Sequence, residues 1–303
     1  MDMYQKRKIR AEKKKDDSPK SFPSVGINWY PGHMAKAKRL IKEELKNIDI
    51  VYEVIDSRIP YSSKIKDVDS IVSGKRRILI MTKKDLCDLE ETNKWKNYYE
   101  EKGYNVLIVD LKNNEDYKNI INLTHKITEE IQQKRLEKGM QRKEIRALVI
   151  GIPNVGKSTL INKLTGKKSA SVENRPGVTK ALTYLKTNVG ITILDTPGIL
   201  WPKLDEENVA LNIAATGGIR SEILNMDEIC IHIINYLYEN YPEYLNSVYG
   251  IENNEVMDMY ETIAKRIGAF QNREINYDKV SLKVYNDVIQ GNIKGVTFDK
   301  WKK

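Results

Sequence analysis

An eight-residue segment of the chain has the residue types and spacing that bind phosphate groups. Residues 151–158 read Gly-Ile-Pro-Asn-Val-Gly-Lys-Ser, which matches the pattern G-x-x-x-x-G-K-[ST] completely. Glycines allow backbone N–H groups to surround a phosphate, the Lys157 ammonium supplies a cation, and the Ser158 hydroxyl can bind Mg²⁺. A strand pattern precedes the segment and a helical pattern follows it, which a glycine turn with a chance Lys-Ser would not require. The sequence therefore predicts a nucleotide phosphate site formed by Asn154, Val155, Gly156, Lys157, Ser158 and Thr159.

Two further segments carry residues suited to sensing a terminal phosphate. Residues 195–198 read Asp-Thr-Pro-Gly and follow the apolar run Ile-Thr-Ile-Leu. We expect the Asp195 carboxylate to bind Mg²⁺ and the Gly198 N–H to meet the γ-phosphate. Thr179, at the end of a Pro-Gly-Val-Thr segment, is a candidate for the threonine that completes the Mg²⁺ site when the γ-phosphate is present. The alternative for Thr179 is an ordinary β-turn threonine.

A fourth segment is suited to reading a base. Residues 82–85 read Thr-Lys-Lys-Asp after an apolar run, which fits the guanine-binding pattern [NT]-K-x-D. The Asp85 carboxylate can accept hydrogen bonds from N1 and N2 of guanine, where adenine has no donor pair, and the Lys83 stem can lie along the base. Thr82 stands where asparagine is commoner, and residues 109–113 occupy the place of the segment that caps guanine O6. GTP and GDP are the predicted nucleotides; an ATPase remains the alternative only if Asp85 does not meet the base.

The order of these motifs is unusual. The base motif (82–85) precedes the phosphate loop (151–158), which precedes Thr179 and Asp195, whereas ordinary GTPases place the base motif last. The same sheet results if the usual termini are joined and the chain is opened after the second switch. We therefore predict a circular permutation, in which the second switch leads directly into the region after residue 203 and hydrolysis is transmitted to that region.

The elements that must position these motifs alternate between strand-like and helix-like patterns. The expected strands are 49–55, 77–82, 105–109, 145–151, 181–187 and 190–195. The expected helices between them are 33–47, 91–102, 116–138 and 157–165. This alternation predicts an α/β fold: a P-loop GTPase domain with a mainly parallel sheet covered by helices on both faces.

The last third of the chain has a different pattern. Apolar residues recur at helical spacing in four segments, 206–216, 227–239, 254–270 and 278–290. At the other end, residues 1–24 are too polar and charged to bury a core. The predicted division is a disordered basic arm at 1–24, a circularly permuted GTPase domain at 25–204 and a small all-helical C-terminal domain at 205–303.

Composition argues against several classes of protein. No run approaches the ~18 consecutive apolar residues of a membrane span, and the N-terminus has no apolar signal region, so a cytoplasmic protein without membrane contact is expected. Two distant cysteines and three scattered histidines predict neither a disulfide nor a structural metal. Residues 1–204 carry 41 Lys and Arg against 26 Asp and Glu (+15), and residues 205–303 carry 10 against 16 (−6). The basic part predicts an anionic partner such as nucleic acid, with solvated Lys-rich helices as the alternative.

Several segments together resemble one known family. They are NWYPGHM (28–34), DIVYEVIDSRIP (49–60), GIPNVGKSTLIN (151–162), RPGVT (175–179), LDTPGILWPK (194–203) and INYDK (275–279). In this combination and order they closely resemble the ribosome biogenesis GTPase A family, also called the RbgA/YlqF family. The resemblance spans roughly residues 27–290, and only the basic arm lies outside it.

The resemblance implies a circularly permuted GTPase that binds the large ribosomal subunit and its rRNA late in assembly and is released after hydrolysis. It implies a catalytic role for His33, because Ile199 stands where small GTPases have the glutamine that orients the attacking water. The alternative is that His33 binds RNA or packs on Trp29. The resemblance also implies K⁺ bound by Asn154, whose alternative is a turn asparagine with backbone duties alone.

Two other functions stay open from the sequence. One is a permuted GTPase acting on the small subunit or another RNA, and the other is an RNA-binding scaffold that no longer hydrolyses GTP. The second is disfavoured by intact Lys157, Ser158, Thr179 and Asp195. A monomer is expected. Arg58 and Lys64 are expected to be basic surface residues without a role, and Trp29, Tyr30 and Trp201 are expected to pack between domains rather than stack on RNA bases.

Overall fold

A computed structural model describes residues 39–65, 68–166, 183–196, 207–219, 221–252 and 255–301, with the backbone alone at residue 223. Six strands form its central sheet: β1 (Ile50–Asp56), β2 (Arg76–Thr82), β3 (Asn105–Ile108), β4 (Ile145–Ile150), β5 (Thr183–Lys186) and β6 (Ile191–Asp195). Their spatial order is β3-β2-β1-β4-β6-β5. All neighbouring pairs are parallel except β5 with β6. The predicted α/β class with a mainly parallel sheet is confirmed.

The inner strands of the sheet are largely buried, as expected for a sheet covered on both faces. Every residue of β1 and of β6 is buried, and apolar side chains dominate both strands. The strand register brings the ends of β1 and β2 together, with Asp56 opposite Thr82. It also places Asp195, at the end of β6, opposite Val149 in β4. The polar residues that follow these strands therefore meet along one edge of the sheet.

Helices connect the strands. They are α1 (Val68–Ile71), α2 (Leu89–Glu101), α3 (Asn114–Leu136) and α4 (Lys157–Thr165), and residues 39–44 are also helical. The Asp88 side chain accepts a hydrogen bond from Glu91 N and so caps α2. Asn113 caps α3 in the same way. The three longer helices agree with the predicted segments to within about two residues, a usual uncertainty at helix ends, while the single turn α1 was not predicted.

The last third of the chain contains five helices among its described residues. They are α5 (Glu207–Ala215), α6 (Met226–Asn240), α7 (Pro242–Tyr249), α8 (Val256–Ile267) and α9 (Tyr277–Ile289). The sequence predicted four, and α7 was missed because it is only eight residues long and begins two residues after α6 ends. The prediction of a helix over 254–270 was too long. Gly268 ends α8 with a φ of 63°, and the strand Phe270–Gln271 (β7) then pairs with Glu274–Ile275 (β8).

Residues 293–301 run back over the GTPase part of the chain. The Phe298 N–H donates to the Arg58 carbonyl at 2.7 Å, and Trp95 Nε1 donates to the Asp299 carbonyl at 2.7 Å. The Asp299 carboxylate is buried and accepts hydrogen bonds from the N–H and hydroxyl of Ser62. The described residues accordingly belong to one compact unit. The predicted boundary at 204/205 and the arm 1–24 lie outside the described residues.

None of the helices in the described ranges combines the length and apolar character needed to cross a membrane.

Candidate nucleotide-binding site

The phosphate loop lies between β4 and α4, in the place that the sequence predicted. A Cβ at Gly151 would stand 2.3 Å from the carbonyl oxygen of Val54 in β1, so only glycine lets the loop pass this strand. Gly156 has a φ of 94° and begins α4, and Asn154 also has a left-handed backbone, with a φ of 61°. This sharp turn directs the loop toward the N-terminus of α4, where a phosphate is favoured.

Lys157 is held inside the loop. Its side chain is buried, and its Nζ donates to the carbonyl oxygens of Gly151 at 2.8 Å and Ile152 at 2.6 Å. Burial lowers the pKa of Lys157 to about 8, against the nearby charge of Asp195, which raises it. The loop thus holds the ammonium with neutral carbonyl groups, and a polyphosphate would supply the missing negative charge.

Asp195 completes the phosphate end of the site. It is 7% exposed at the end of β6, and the next residue, Thr196, donates its hydroxyl hydrogen to the Val149 carbonyl at 2.6 Å. Burial raises the pKa of Asp195, and the charge of Lys157 opposes that shift. A desolvated carboxylate of this kind is stabilised by a divalent cation, and the hydroxyl of Ser158 is a hard oxygen ligand. The residues present therefore fit Mg²⁺.

The base motif is joined to the phosphate loop through its first residue. Thr82, at the end of β2, donates its hydroxyl hydrogen to the Val155 carbonyl at 2.6 Å, and the Ile55 carbonyl lies 3.1 Å from the same hydroxyl. A Cβ at Gly156 would stand 3.4 Å from the hydroxyl oxygen of Thr82. The shorter threonine thus lies against the loop directly, so the two predicted halves of the site form one structure.

Lys83 enters a charged cluster that the sequence did not predict. Its backbone has a φ of 60°, and its Nζ lies 2.7 Å from Asp56 Oδ2. Arg58 Nε and Nη2 donate to the two oxygens of the same carboxylate, at 3.1 Å and 2.8 Å. The expectation that Arg58 is a surface residue was wrong, since it is 2% exposed. Lys64 is also covered and pairs with Glu53 at 3.3 Å. The one local signal was the Asp-Ser-Arg sequence at the end of a buried strand, and this pattern is the same for a covered arginine and an exposed one.

Asp85 is the more exposed member of the base motif. Its side chain is 30% exposed, and Oδ2 accepts a hydrogen bond from Lys112 Nζ at 3.0 Å. Lys112 belongs to the segment 109–113, whose Val109 carbonyl also accepts from Lys84 N at 3.2 Å. The segment proposed to cap guanine O6 therefore lies beside the base motif.

The phosphate loop contacts the last third of the chain. The Asn154 Nδ2 donates to the Gly217 carbonyl, just after α5, at 2.5 Å. Gly217 has a φ of 81°, a left-handed backbone that favours glycine, and a Cβ there would come within 2.8 Å of Ile289 Cδ1. Three predicted site residues, His33, Thr179 and Gly198, lie outside the described residues, as do Trp29, Tyr30 and Trp201.

Two family models and several curated relatives that match this chain carry the name GTPase, and solved structures resemble it as well. A family model described as "50S ribosome-binding GTPase" matches residues 146–271, and one described as "RsgA GTPase" matches residues 70–205. The chain is similar to Ribosome biogenesis GTPase A of Bacillus licheniformis, with 40% identity over 277 residues that cover 90% of this chain and 98% of the relative. The counterpart from Priestia megaterium is 39% identical, with coverage of 90% and 96%. Among solved structures, GNP-bound YlqF from T. maritima has a TM-score of 0.61 and 26% identity, covering 88% of this chain and 98% of that one.

Proposed function

This chain belongs to the ribosome biogenesis GTPase A family and is a GTPase, and from this we propose that it binds the large ribosomal subunit during late maturation and is released when GTP is hydrolysed. The family model that spans the phosphate loop carries the description "50S ribosome-binding GTPase", which supports the large subunit as the partner. The alternative is a permuted GTPase that acts on the small subunit or another RNA.

The observation that carries the proposal is the contact between the phosphate loop and the part of the chain that contains α5 to α9, which we call the helical region. Asn154 donates to the Gly217 carbonyl at 2.5 Å. In sequence, α5 is the first described element after β6 and its Asp195, and it ends two residues before Gly217. A change of nucleotide that moves the loop or the second switch would therefore act on α5. Because α5 belongs to the helical region, this route would convert hydrolysis into a change in subunit affinity.

Charge supports a nucleic-acid partner. Residues 1–204 carry +15 (41 against 26), and within the acidic last third four of the ten basic residues lie within or beside the β7–β8 hairpin: Lys265, Arg266, Arg273 and Lys279. Arg273 is exposed at the hairpin turn and keeps a φ of 68°, where glycine would be favoured. In the described part of the molecule its guanidinium has no ion pair. We assign this hairpin as one of the contacts to rRNA phosphates.

We propose the following roles at the phosphate end. Lys157 moves its ammonium from the loop carbonyls to the β- and γ-phosphates, and the loop N–H groups bind the phosphate oxygens. Ser158 and Asp195, with Thr179, hold Mg²⁺, which when bound neutralises the charge that develops on the phosphates. Gly198 senses the γ-phosphate.

Two assignments stay with the family resemblance. His33 is proposed to act on the water or the γ-phosphate, because an isoleucine follows Gly198 where small GTPases have a glutamine. Asn154 is proposed to help bind K⁺, as the resemblance implies. We further propose a cytoplasmic monomer, for which light scattering of the purified protein is the test of mass.

The test is GTP hydrolysis in K⁺ and in Na⁺, each alone and with purified large or small ribosomal subunits, with ATP as the control nucleotide. Stimulation by large subunits alone supports the proposal, and stimulation by small subunits alone supports the alternative. Dependence on K⁺ that disappears in Asn154→Ser supports the role of Asn154. If neither subunit changes the rate, the ribosomal partner is contradicted while the GTPase activity stands. Lys157→Ala serves as the control for contaminating GTPases.

A further inference from the structure

A buried group of charges lies beside the base motif and has no part in the chemistry described above. Asp56 is 1% exposed and Arg58 is 2% exposed. The Asp56 carboxylate receives Lys83 Nζ at 2.7 Å on Oδ2, and Arg58 contacts both of its oxygens. The Asp56 carboxylate therefore forms ion pairs with two cations, Arg58 and Lys83. Both pairs lie where β1 and β2 end side by side.

Because Asp56 and Arg58 are buried, losing either partner of these ion pairs would cost much free energy. A buried ion without its partner is strongly destabilising, so each cation of the cluster is confined to the position of the one carboxylate. Burial alone would raise the pKa of Asp56, but the charges of Arg58 and Lys83 outweigh it and hold the pKa below its ordinary value. Lys83 thus has its ammonium tied down before any nucleotide binds. A fixed stem loses little conformational freedom when a base is placed against it.

The Arg58 guanidinium has a third contact, outside the GTPase part of the chain. Its Nη1 donates to the Val288 carbonyl at 2.8 Å. Val288 lies in the last turn of α9, where carbonyl groups lack helical partners and a cation is favoured. The Arg58 backbone carbonyl also accepts a hydrogen bond from the Phe298 N–H. Arg58 therefore connects the counter-ion of the base motif to the helical region.

We propose that Asp56 and Arg58 are positioning residues for guanine recognition: Asp56 holds Lys83 in place for the base, and Arg58 makes that hold depend on the docking of α9. The proposal rests on the assignment of residues 82–85 to the base. By linkage, a bound guanine nucleotide must then strengthen the docking of α9 by the same factor by which docked α9 strengthens nucleotide binding. The base end of the site would report occupancy to the helical region independently of the phosphate end.

A buried ion cluster can also serve stability alone, so the test needs a matched control. Asp299 is a second buried carboxylate in the same neighbourhood. It joins the loop after β1 to the helical region by accepting from Ser62 N at 2.6 Å and from Asn212 Nδ2 at 2.8 Å. None of its described hydrogen bonds involves Lys83. Asp299→Asn should therefore weaken the interface without touching the base motif.

The first experiment is a double-mutant cycle on GDP affinity, with KM and kcat for GTP measured in parallel. Asp56→Asn and Lys83→Met should each lower GDP affinity by about tenfold, and the double variant should lose about the same tenfold, because both remove one interaction. The loss should appear in KM, with kcat reduced much less, since a base contact is shared by the ground and transition states. Asp299→Asn should stay within about twofold of the unmodified chain, although its unfolding midpoint falls.

Several outcomes would overturn the role of Asp56. One is that the two single losses multiply in the double variant, and another is that Asp299→Asn lowers GDP affinity as much as Asp56→Asn at equal folded fraction by circular dichroism. The variant Asp85→Asn distinguishes failure of the positioning role of Asp56 from failure of the assignment of residues 82–85 to the base. If Asp85→Asn keeps the preference for GTP over ATP, the base assignment itself fails. If that preference is lost while the cycle is additive, only the positioning role fails.

The second experiment addresses Arg58 by hydrogen exchange of α9 with and without GDP. In the unmodified chain GDP should slow exchange in α9. Arg58→Lys keeps a cation for Asp56 but cannot span both the carboxylate and Val288 with one planar group, so it should lower GDP affinity by about threefold and remove the protection of α9. Protection of α9 by GDP that persists in Arg58→Lys would contradict the proposed link.

Discussion

The phosphate loop of the nucleotide site is built from eight consecutive residues, whereas the base end draws on three separate segments, 56–58, 82–85 and 109–113. The phosphate loop holds Lys157 with its own carbonyl groups, at 2.8 Å and 2.6 Å. The base motif instead holds Lys83 with the carboxylate of Asp56, which is 27 residues away in sequence, and Asp85 contacts Lys112. The loop holds its own lysine within one local segment, although it also contacts β1, β2 and the segment after α5. The base end exists only when β1 and β2 are paired.

The two ends also contact the helical region in different places. The phosphate loop reaches the segment after α5 through Asn154 and Gly217. The base end reaches the last turn of α9 through Arg58 and Val288. On the functions proposed above, a nucleotide that fills both ends would act on the helical region at two points. Five substitutions, or conditions, test how independent the two ends are.

The largest effect is expected from removal of the phosphate-binding cation. Lys157→Ala should lower GTP turnover by about 10³-fold, or about 4 kcal/mol, because no other described side chain places a cation within the loop. Single-turnover hydrolysis measures the loss. Lys163→Ala, on the same helix and bonded to Asn114, is the matched control and should change turnover little. Near-normal turnover in Lys157→Ala would show that the phosphates bind elsewhere.

The next effect is at the base end. Asp85→Asn should lower GTP affinity by about 10²-fold, about 3 kcal/mol, because two guanine donors lose a charged acceptor. ATP affinity should change much less, so the preference for GTP is lost. Titration with both nucleotides measures this preference. Asp88→Asn, three residues further along, keeps a side chain that caps α2 equally well and serves as control. An unchanged preference in Asp85→Asn would contradict the guanine assignment.

A pH dependence tests the support of α5, next to the phosphate end. His232 Nε2 lies 2.8 Å from Asn212 Oδ1 in α5, and burial lowers the pKa of His232 to about 4. The unfolded chain binds this proton more readily, so stability is full above pH 6.5 and falls as the pH drops toward 4, by about 2 kcal/mol at pH 5. Urea unfolding at pH 5 and pH 8 measures the fall.

Replacing His232 should remove its contribution to the loss of stability at low pH. His232→Gln should lose less stability than the unmodified chain between pH 8 and pH 5. His125→Gln, at an exposed position of α3, should behave as the unmodified chain does. Equal pH dependence in all three proteins would rule out His232 as the cause.

A smaller effect is expected where the two ends meet. Thr82→Val keeps the shape of the side chain but removes the hydroxyl that donates to Val155 O. The buried carbonyl loses a partner, so the free energy of unfolding should fall by about 1 kcal/mol and GDP affinity by about fivefold. Thr82→Ser should restore both, as seen by urea unfolding and titration. If Thr82→Val lowers stability and leaves GDP affinity unchanged, the two ends are independent.

The smallest effect concerns the exposed ion pair at the base end. The Lys112 side chain is 82% exposed, and pairs of this kind contribute little. Lys112→Ala should change GDP affinity by no more than about twofold, by the same reasoning. Lys134→Ala, which removes an exposed pair with Glu130 in α3, is the control. A loss beyond about tenfold would mean that Lys112 itself contacts the nucleotide.

Much of the site could be predicted from particular residues. The spacing of Gly151, Gly156 and Lys157 predicts the phosphate loop, because it produces the turn, the open helix end and the cation within one local structure. Asp85 predicts the guanine-binding motif through its place after a buried strand. The cluster of Asp56 and Arg58 could not be placed in this way, since a polar residue after a strand has the same local pattern whether it is exposed or covered. Burial of Arg58 depends on α9 and on residues 293–301, more than 200 positions away.

The sequence by itself determined the alternating strands and helices, the order of the motifs and the nucleotide chemistry. The reason is that these depend on short-range periodicity and on side chains within one turn of the backbone. The tertiary structure alone decided that α7 and the β7–β8 hairpin form, that Asn154 meets Gly217, and that Arg58 lies buried between Asp56 and Val288. The Asn154–Gly217 and Arg58–Val288 contacts join residues 63 and 230 positions apart, and such pairs are selected by which surfaces the complete fold brings together.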